Sequence, residues 1–330
     1  MSRYVLGIET SCDDTSVALV AQDGTVAAID TASQFDVHEA FGGVYPELAS
    51  RAHLEAILPV IDRVMRAAGA TPEDLAAIGV TRGPGLIGSL LVGLSTAEAL
   101  SLVWGVPAYG VNHLRGHLRS VSLDGGEMPF PAVVLLASGG HTLLAAMGSE
   151  WDYRLLGTTR DDSVGECYDK VARTLGFGMP GGPAIDRAAR EGTARLRLPR
   201  PMKNEGFEFS FSGLKSAVAR HVELTPDAAP ADMSASFVEA VLDVLVTKVD
   251  RALAQEAPKA LVIVGGVAAS PQLRNAMTAV ADKHGVELCL PPVKWATDNG
   301  AMIAMATWDY MARGVQPALT PLPTLPLGTP

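Results

Sequence analysis

His113 and His117 stand four residues apart in Asn112-His113-Leu114-Arg115-Gly116-His117. On a helix that spacing puts two imidazoles on one face, with Cβ atoms about 5–6 Å apart. Two histidines so placed suit a shared metal ion, and two unrelated helix-face histidines are the plainer reading of the same spacing. A metal needs a further ligand, and Asp298 in Ala296-Thr297-Asp298-Asn299-Gly300 is the candidate. It falls at the expected N-cap of the last helix, where simple capping is the competing role. Two histidines and one carboxylate with open positions form the ligand set of non-haem iron sites, and zinc uses it too. A metalloprotease of the H-E-x-x-H type requires a glutamate after the first histidine as general base. Leu114 stands there, so proteolysis lacks its base.

Four glycine-bearing turns offer anion chemistry: Ser138-Gly139-Gly140, Gly181-Gly182-Pro183, Gly265-Gly266 and Arg82-Gly83-Pro84-Gly85. Glycine lets backbone N–H groups approach a phosphate without a Cβ in the way, and a following helix adds its positive N-terminal end. Any one alone reads most simply as a tight turn. Four at strand or helix junctions point instead to a nucleotide held by turn tips. None fits G-x-x-x-x-G-K-[ST] or G-x-G-x-x-G, so neither the P-loop nor the Rossmann fingerprint is available.

The elements that must position these residues alternate strand and helix. Tyr4 to Glu9 and Ser16 to Val20 read as a hairpin with a polar tip, and Val133 to Ala137 with His141 to Met147 as a second with a glycine tip. An irregular segment, Ser33 to Ser50, precedes a helix near Arg51 to Ala68. Strands are expected at Ala77 to Thr81, Val106 to Tyr109 and Leu261 to Val264, the second leading into the helix with the histidines. Further helices are expected near Leu86 to Trp104, Glu166 to Leu175, Pro183 to Arg190, Leu214 to Val222, Met233 to Gln255 and Pro271 to Lys283. Beyond Arg313 prolines punctuate an extended tail. This is an α/β pattern in two similarly built halves: a first lobe over 1–128, to which the chain returns at 298–330, and a second over 129–297 that carries most of the nucleotide-binding turns. A ligand cleft is expected between them, beyond the carboxyl ends of strands.

The 330 residues suit about two domains. With 48% hydrophobic and 19% charged residues, disorder is excluded. A net charge of −10 excludes unaided binding of nucleic acid or acidic lipid over a broad basic surface. Cys12, Cys167 and Cys289 form no C-x-x-C pair, which argues against disulfide and zinc-thiolate frameworks and for a reducing cytoplasm. Glu9 and Asp13 interrupt any signal-peptide core, and Leu86 to Val103 reads as a buried, glycine-rich core helix rather than a membrane span.

GIETSCDDT, SQFDVHEAFGGVYPELASRAH, GPGLIGSLLVG, HLRGH, SGGHT, DDSVGECYDKVARTLG, PGGPAID, FSFSGLK, GGVAAS and TDNGAMIA, in order from residue 4 to 306, resemble the TsaD family, once called Gcp or O-sialoglycoprotein endopeptidase. The resemblance implies an actin-like, Hsp70-like and sugar-kinase-like (ASKHA) fold, two-lobed with a nucleotide cleft. It implies transfer of the threonylcarbamoyl group from threonylcarbamoyl-AMP to N6 of the adenosine next to the tRNA anticodon, making t6A. It implies as partners a TsaB-like paralogue and a TsaE-like small ATPase, in the cytoplasm and away from any membrane as the cysteines and hydropathy already suggest. By resemblance, His113, His117 and Asp298 are the metal ligands and act in catalysis through one divalent metal, Fe2+ in preference to Zn2+. The intermediate is held by Ser138, Gly139 and Gly140, with Leu136 and Ala137 leading in, and by Asp169, Gly182, Asp186 and Ser270. A small-molecule kinase or a chaperone-like nucleotide-binding module of the same fold is the alternative, and neither needs the metal trio.

Against the family pattern, Ser270 replaces Asn, Asp14 replaces Glu, and Asn112 and Arg115 stand where His and Glu are common. Arg115, beside the metal histidines, is expected to point outward, toward tRNA phosphates. Cys12 matches the family and reads as a small buried residue rather than a nucleophile. For tRNA, Arg187, Arg190, Arg195, Arg197, Arg200 and Lys203 form the clearest basic stretch in an acidic chain, with a solvated basic face as the plainer reading.

Overall fold

A computed structural model describes residues 4–39, 43–225 and 229–329. The chain divides into two compact units, Met1–Glu127 with Asp298–Pro330, and Met128–Thr297. In the first, β1 (Tyr4–Glu9), β2 (Asp14–Val20) and β3 (Val26–Ser33) precede α1 (Phe35–Glu39), α2 (Pro46–Ala67), β4 (Leu75–Gly83), α3 (Ile87–Trp104), β5 (Ala108–Asn112) and α4 (His113–Arg119). The second holds β6 (Ala132–Ala137), β7 (Thr142–Met147), β8 (Tyr153–Thr158), α5 (Val164–Thr174), α6 (Gly181–Glu191), α7 (Ser212–Leu224), α8 (Pro230–Glu256), β9 (Ala260–Val264), α9 (Pro271–His284) and β10 (Glu287–Cys289). The chain then returns to the first unit through α10 (Gly300–Arg313).

Each unit has a five-stranded sheet, ordered β3-β2-β1-β4-β5 in the first and β10-β9-β6-β7-β8 in the second. Both are built alike: an antiparallel meander of the first three strands, then two parallel strands on the other side of the first. In β1 alternate residues serve opposite faces. Leu6 and Ile8 enter a core with Ile57 and Ile61 of α2 and Leu90 and Leu94 of α3. Gly7 faces the other way, and a Cβ there would lie 2.0 Å from the Gly300 carbonyl oxygen. On β4, a Cβ at Gly79 would lie 1.8 Å from Thr307 Oγ1. Two glycines thus let α10 press onto the sheet, which fixes where Asp298 falls.

Several boundaries differ from the sequence reading. α2 begins at Pro46 rather than Arg51, because proline suits a first helical turn. β5 runs on to Asn112 and so delivers His113 directly into α4. β3, β8 and β10 were not anticipated. Part of the expected irregular segment, Ala40 to Gly42, lies outside the described residues. α3 is buried only along the stripe Ser89, Leu90, Gly93, Leu94 and Ala97, while Leu102 and Val103 are 81% and 80% exposed. By length and composition it could cross a bilayer; Leu90, Leu94 and Ala97 pack into the core of the first unit, while most of the helix is not buried, so the expected buried core helix is found only along that stripe.

Candidate metal centre and nucleotide turns

Asn112 ends β5, and its Oδ1 accepts from the Leu114 backbone N–H at 2.9 Å, starting α4. His113 and His117, one turn apart, are 5% and 0% exposed. Their ring centroids lie 4.7 Å apart at 80°. The N-cap of α10 is Asn299, whose Oδ1 accepts from Met302 N–H at 2.9 Å. This corrects the expectation for Asp298, which stands one residue earlier and is not the cap. Its Oδ1 instead lies 3.1 Å from His117 Nε2 and 3.6 Å from His113 Nε2. One ligand atom from each of the three falls within 4.8 Å of the others, so the group can hold a metal ion. Both ring nitrogens of His117 are buried, and among the described residues neither makes a hydrogen bond of good geometry, Asp298 Oδ1 being the near group at Nε2. That costs free energy which a metal at Nε2 would offset.

Glu9, 1% exposed, orients His113. Its Oε2 is 2.9 Å from His113 Nδ1 and accepts from Thr81 Oγ1 at 2.7 Å, while Oε1 accepts from Ser11 N–H. An ionised carboxylate only accepts, so Nδ1 carries the hydrogen and Nε2 is left to face Asp298. Burial alone would push the His113 imidazole down, but Glu9 and Asp298 outweigh it and raise it to about 9. A metal at Nε2 would take the place of a proton there. Burial likewise works to raise Glu9, and the His113 imidazole overrides it and holds the carboxyl low. Sequence reasoning missed Glu9 as a site residue. The available signal was a carboxylate closing an apolar strand on the same face as Gly7.

Arg115 corrects its expectation. It is 4% exposed and turns inward, with Arg115 Nη2 and Arg119 Nε at 3.8 and 3.0 Å from Asp309 Oδ2 and its guanidinium 5.7 Å from the Tyr310 ring. It serves the packing of α4 on α10. Burial, with Asp13 beside it, pushes the Cys12 thiol far above its ordinary range, which leaves no thiolate to act as a nucleophile. Burial also pushes the Asp14 carboxyl up to about 6.

In the second unit, Leu136 and Ala137 are fully buried in β6 and deliver Ser138 at its carboxyl end. Ser138 closes the hairpin: its N–H donates to the His141 carbonyl at 2.8 Å, and its Oγ accepts from His141 N–H at 3.1 Å. Ser163, N-cap of α5, donates its hydroxyl to the Gly139 carbonyl and braces the tip. The glycines sort into two kinds. Gly265, with φ +92° and a Cβ that would lie 2.4 Å from the Ala137 carbonyl oxygen, is demanded by the chain itself. So is Gly83, with φ +153°. Gly139, Gly140 and Gly182 have neither constraint, and a Cβ on any of them would meet nothing within 4 Å. These three leave open space over the backbone.

Asp169 Oδ1 accepts from Gly181 N–H at 2.9 Å, holding the start of α6 against α5. Asp186 is 5% exposed; burial pushes its carboxyl up and the Ser270 hydroxyl works against that. Ser270 also caps α9, accepting from Leu273 N–H at 3.4 Å. Gln272, absent from the sequence reading, donates to the Asp186 carbonyl at 3.0 Å. Three of the six cations of the basic stretch are paired by α8. Arg195 lies 3.6 Å from Asp232, Arg200 reaches Glu239 and Asp243 at 3.3 and 3.2 Å, and Lys203 reaches Asp243 at 2.6 Å. Arg187 and Arg197 are exposed and make no ion pair among the described residues.

Solved structures share this architecture. Component A of (R)-2-hydroxyglutaryl-CoA dehydratase from Acidaminococcus fermentans superposes with a TM-score of 0.57 at 18% identity, over 94% of this chain and 100% of that one. The activator of 2-hydroxyisocaproyl-CoA dehydratase from Clostridium difficile, with bound ADPNP, superposes with a TM-score of 0.54 at 16% identity, over 96% and 99%. Such identities speak for the fold alone. Two α/β units with repeated strand order define a protein of the actin-like, Hsp70-like and sugar-kinase-like class. Sequence relatives narrow this to one activity. The TsaD profile, tRNA N6-adenosine threonylcarbamoyltransferase, matches residues 25–305. The tRNA N6-adenosine threonylcarbamoyltransferase of Anaeromyxobacter dehalogenans (strain 2CP-C) is 49% identical over 317 residues, 94% of this chain and 95% of that one. The chain belongs to the TsaD family, and it is an acyltransferase that forms t6A on tRNA.

Proposed function

We propose that the threonylcarbamoyl donor is threonylcarbamoyl-AMP, bound by the second unit, and that His113, His117 and Asp298 hold one divalent metal in the first. The metal is iron(II), with zinc as the alternative, since two histidines and a carboxylate with open positions suit both. The observation that carries the metal reading is the convergence of three ligand atoms within 4.8 Å around a buried His117 with no hydrogen bond of good geometry among the described residues. When bound, the metal supplies Lewis-acid polarisation of a carbonyl or phosphate oxygen. Glu9 fixes the ring orientation of His113.

In the second unit the N–H groups of Gly139 and Gly140 hold the adenylate phosphate at the tip that Ser138 closes, with Leu136 and Ala137 leading in. The open space above Gly139 and Gly140 supports this role, and that above Gly182 gives room for a ring. Asp186 and Ser270 accept or donate at the ribose, while Asp169 acts by holding Gly181 and Gly182 in place. The ADPNP of the like-folded activator fits a nucleotide on this scaffold. Adenosine N6 is a poor nucleophile, so the enzyme's task is positioning and electrostatic stabilisation of the charge that builds as N6 attacks the carbamoyl carbon, the C–O bond to the phosphate breaks, and AMP and one N6 proton leave. Arg187 and Arg197 meet tRNA phosphates, and the acidic chain relies on a TsaB-like paralogue and a TsaE-like small ATPase for the rest. The setting is the cytoplasm. A kinase or chaperone-like role has no use for the trio of two buried histidines and Asp298.

The test supplies purified protein and partners with threonylcarbamoyl-AMP and unmodified tRNA, and digests the tRNA for nucleoside mass spectrometry. t6A appears with the wild-type protein; its absence there, or ADP release with a small-molecule phosphate acceptor instead, contradicts the reading.

A further inference from the structure

The segment after α10 is tied to the strands that lead to the metal helix. Gly314, at φ 68°, ends α10 and turns the chain back. The Arg82 Nη1 group donates to the Ala318 carbonyl at 3.2 Å, and Leu322 N–H returns a bond to the Arg82 carbonyl at 2.7 Å. Room for this passage comes from Gly83 and Gly110, where a Cβ would lie 1.9 Å from the Leu322 carbonyl oxygen and 2.4 Å from that of Ala318. Leu325 and Leu327 are 3% and 5% exposed, so the strap is anchored by burial as well.

The strap finishes on Asn112. The Nδ2 group of Asn112 donates to the Pro326 carbonyl at 2.8 Å and to the Thr329 carbonyl at 3.0 Å. Its Oδ1 meanwhile accepts from Leu114 N–H. The amide orientation is unique, because a flip would set Oδ1 against two carbonyls and Nδ2 against an N–H. One fully buried side chain therefore joins the strap to the N-cap of the seven-residue helix that carries both histidines.

We infer that the C-terminal strap, acting through Asn112, sets the pose of α4 and thereby the affinity of His113 and His117 for their metal. Asn112 is a positioning residue, and the inference rests on the metal reading given above. By linkage, metal binding tightens the strap in return.

The test uses Co2+ as the spectroscopic metal probe and three variants. Asn112→Ser keeps a capping oxygen but cannot span to both carbonyls; a chain ending at Leu325 removes the two acceptors and leaves Asn112 intact; the third combines both changes. Each single change weakens Co2+ binding about tenfold, and the combination costs no more than the larger of the two, the non-additivity of groups that act as one unit. Without metal, amide hydrogen exchange in α4 speeds up in both single variants. Unchanged Co2+ affinity, fully additive losses, or unchanged exchange in α4 overturns the inference. A wild-type protein that binds no Co2+ overturns the metal reading, and the affinity claim with it, which sets that failure apart from failure of the strap alone.

Discussion

Glu9 shows what one side chain contributes beyond the ligands themselves. Its carboxylate holds His113 Nδ1 from a position 104 residues away in the chain. Replacing Glu9 with Gln keeps the size but removes the charge that selects the ring tautomer, and metal affinity, measured by competition with a chelator, falls about 10–100-fold. Asp14 makes the opposite kind of prediction. Its carboxyl sits at about 6 in the folded protein through burial, above the ordinary 3.8. Below about pH 4 it is protonated folded or unfolded and costs nothing; as pH rises through 4 to 6 the unfolded chain ionises first, and the folded state loses stability. Asp14→Asn therefore raises the melting temperature at pH 7–8, by a gain on the order of 1–2 kcal/mol after allowing for partial exposure, and the gain vanishes near pH 4. An equal gain at both pH values contradicts this account. At this scale the pairing of His113 and His117 was legible, because two histidines one turn apart carry a spacing, and the fold brings Asp298 to them. Glu9 was not, because a lone acid at the end of a strand has no spacing to read and its partners are remote.

Among the elements, α8 decides what the basic stretch means. Counting cations from Arg187 to Lys203 gives a patch, but Asp232, Glu239 and Asp243 on α8 pair with Arg195, Arg200 and Lys203 from about forty residues away. The pairing was invisible to a local reading, since no charge count within the stretch includes α8. Charge reversal at Arg197 should therefore reduce the salt slope of tRNA binding by about one for the lost phosphate contact. Reversal at Arg200 should leave that slope unchanged, its cation being already committed to two carboxylates. Filter-binding titrations between low and physiological salt distinguish the two, and equal slopes for wild type and Arg197→Glu remove Arg197 from the tRNA contact.

Over the whole molecule, the central strands of each sheet announced themselves and three edge strands did not. β1, β6 and β9 are buried on both faces and read as continuous apolar runs. β3, β8 and β10 lie at sheet edges, and the half-exposed alternation of β3 or the three-residue length of β10 leaves little for a sequence to show. The meander followed by two parallel strands, made twice, was legible as a repeat of architecture because each copy starts with a hairpin around a polar or glycine tip. The activity is proposed to rest on His113, His117 and Asp298, which the first of these copies brings together. The direct measurement is t6A formation by chelator-treated protein titrated with iron(II) under anaerobic conditions, with bound metal counted alongside. The rate should rise in proportion to bound metal and level off at one per chain, and His117→Ala should stay at the unloaded baseline. Full-rate t6A formation by the metal-free protein, or by His117→Ala, would contradict the role assigned to His113, His117 and Asp298.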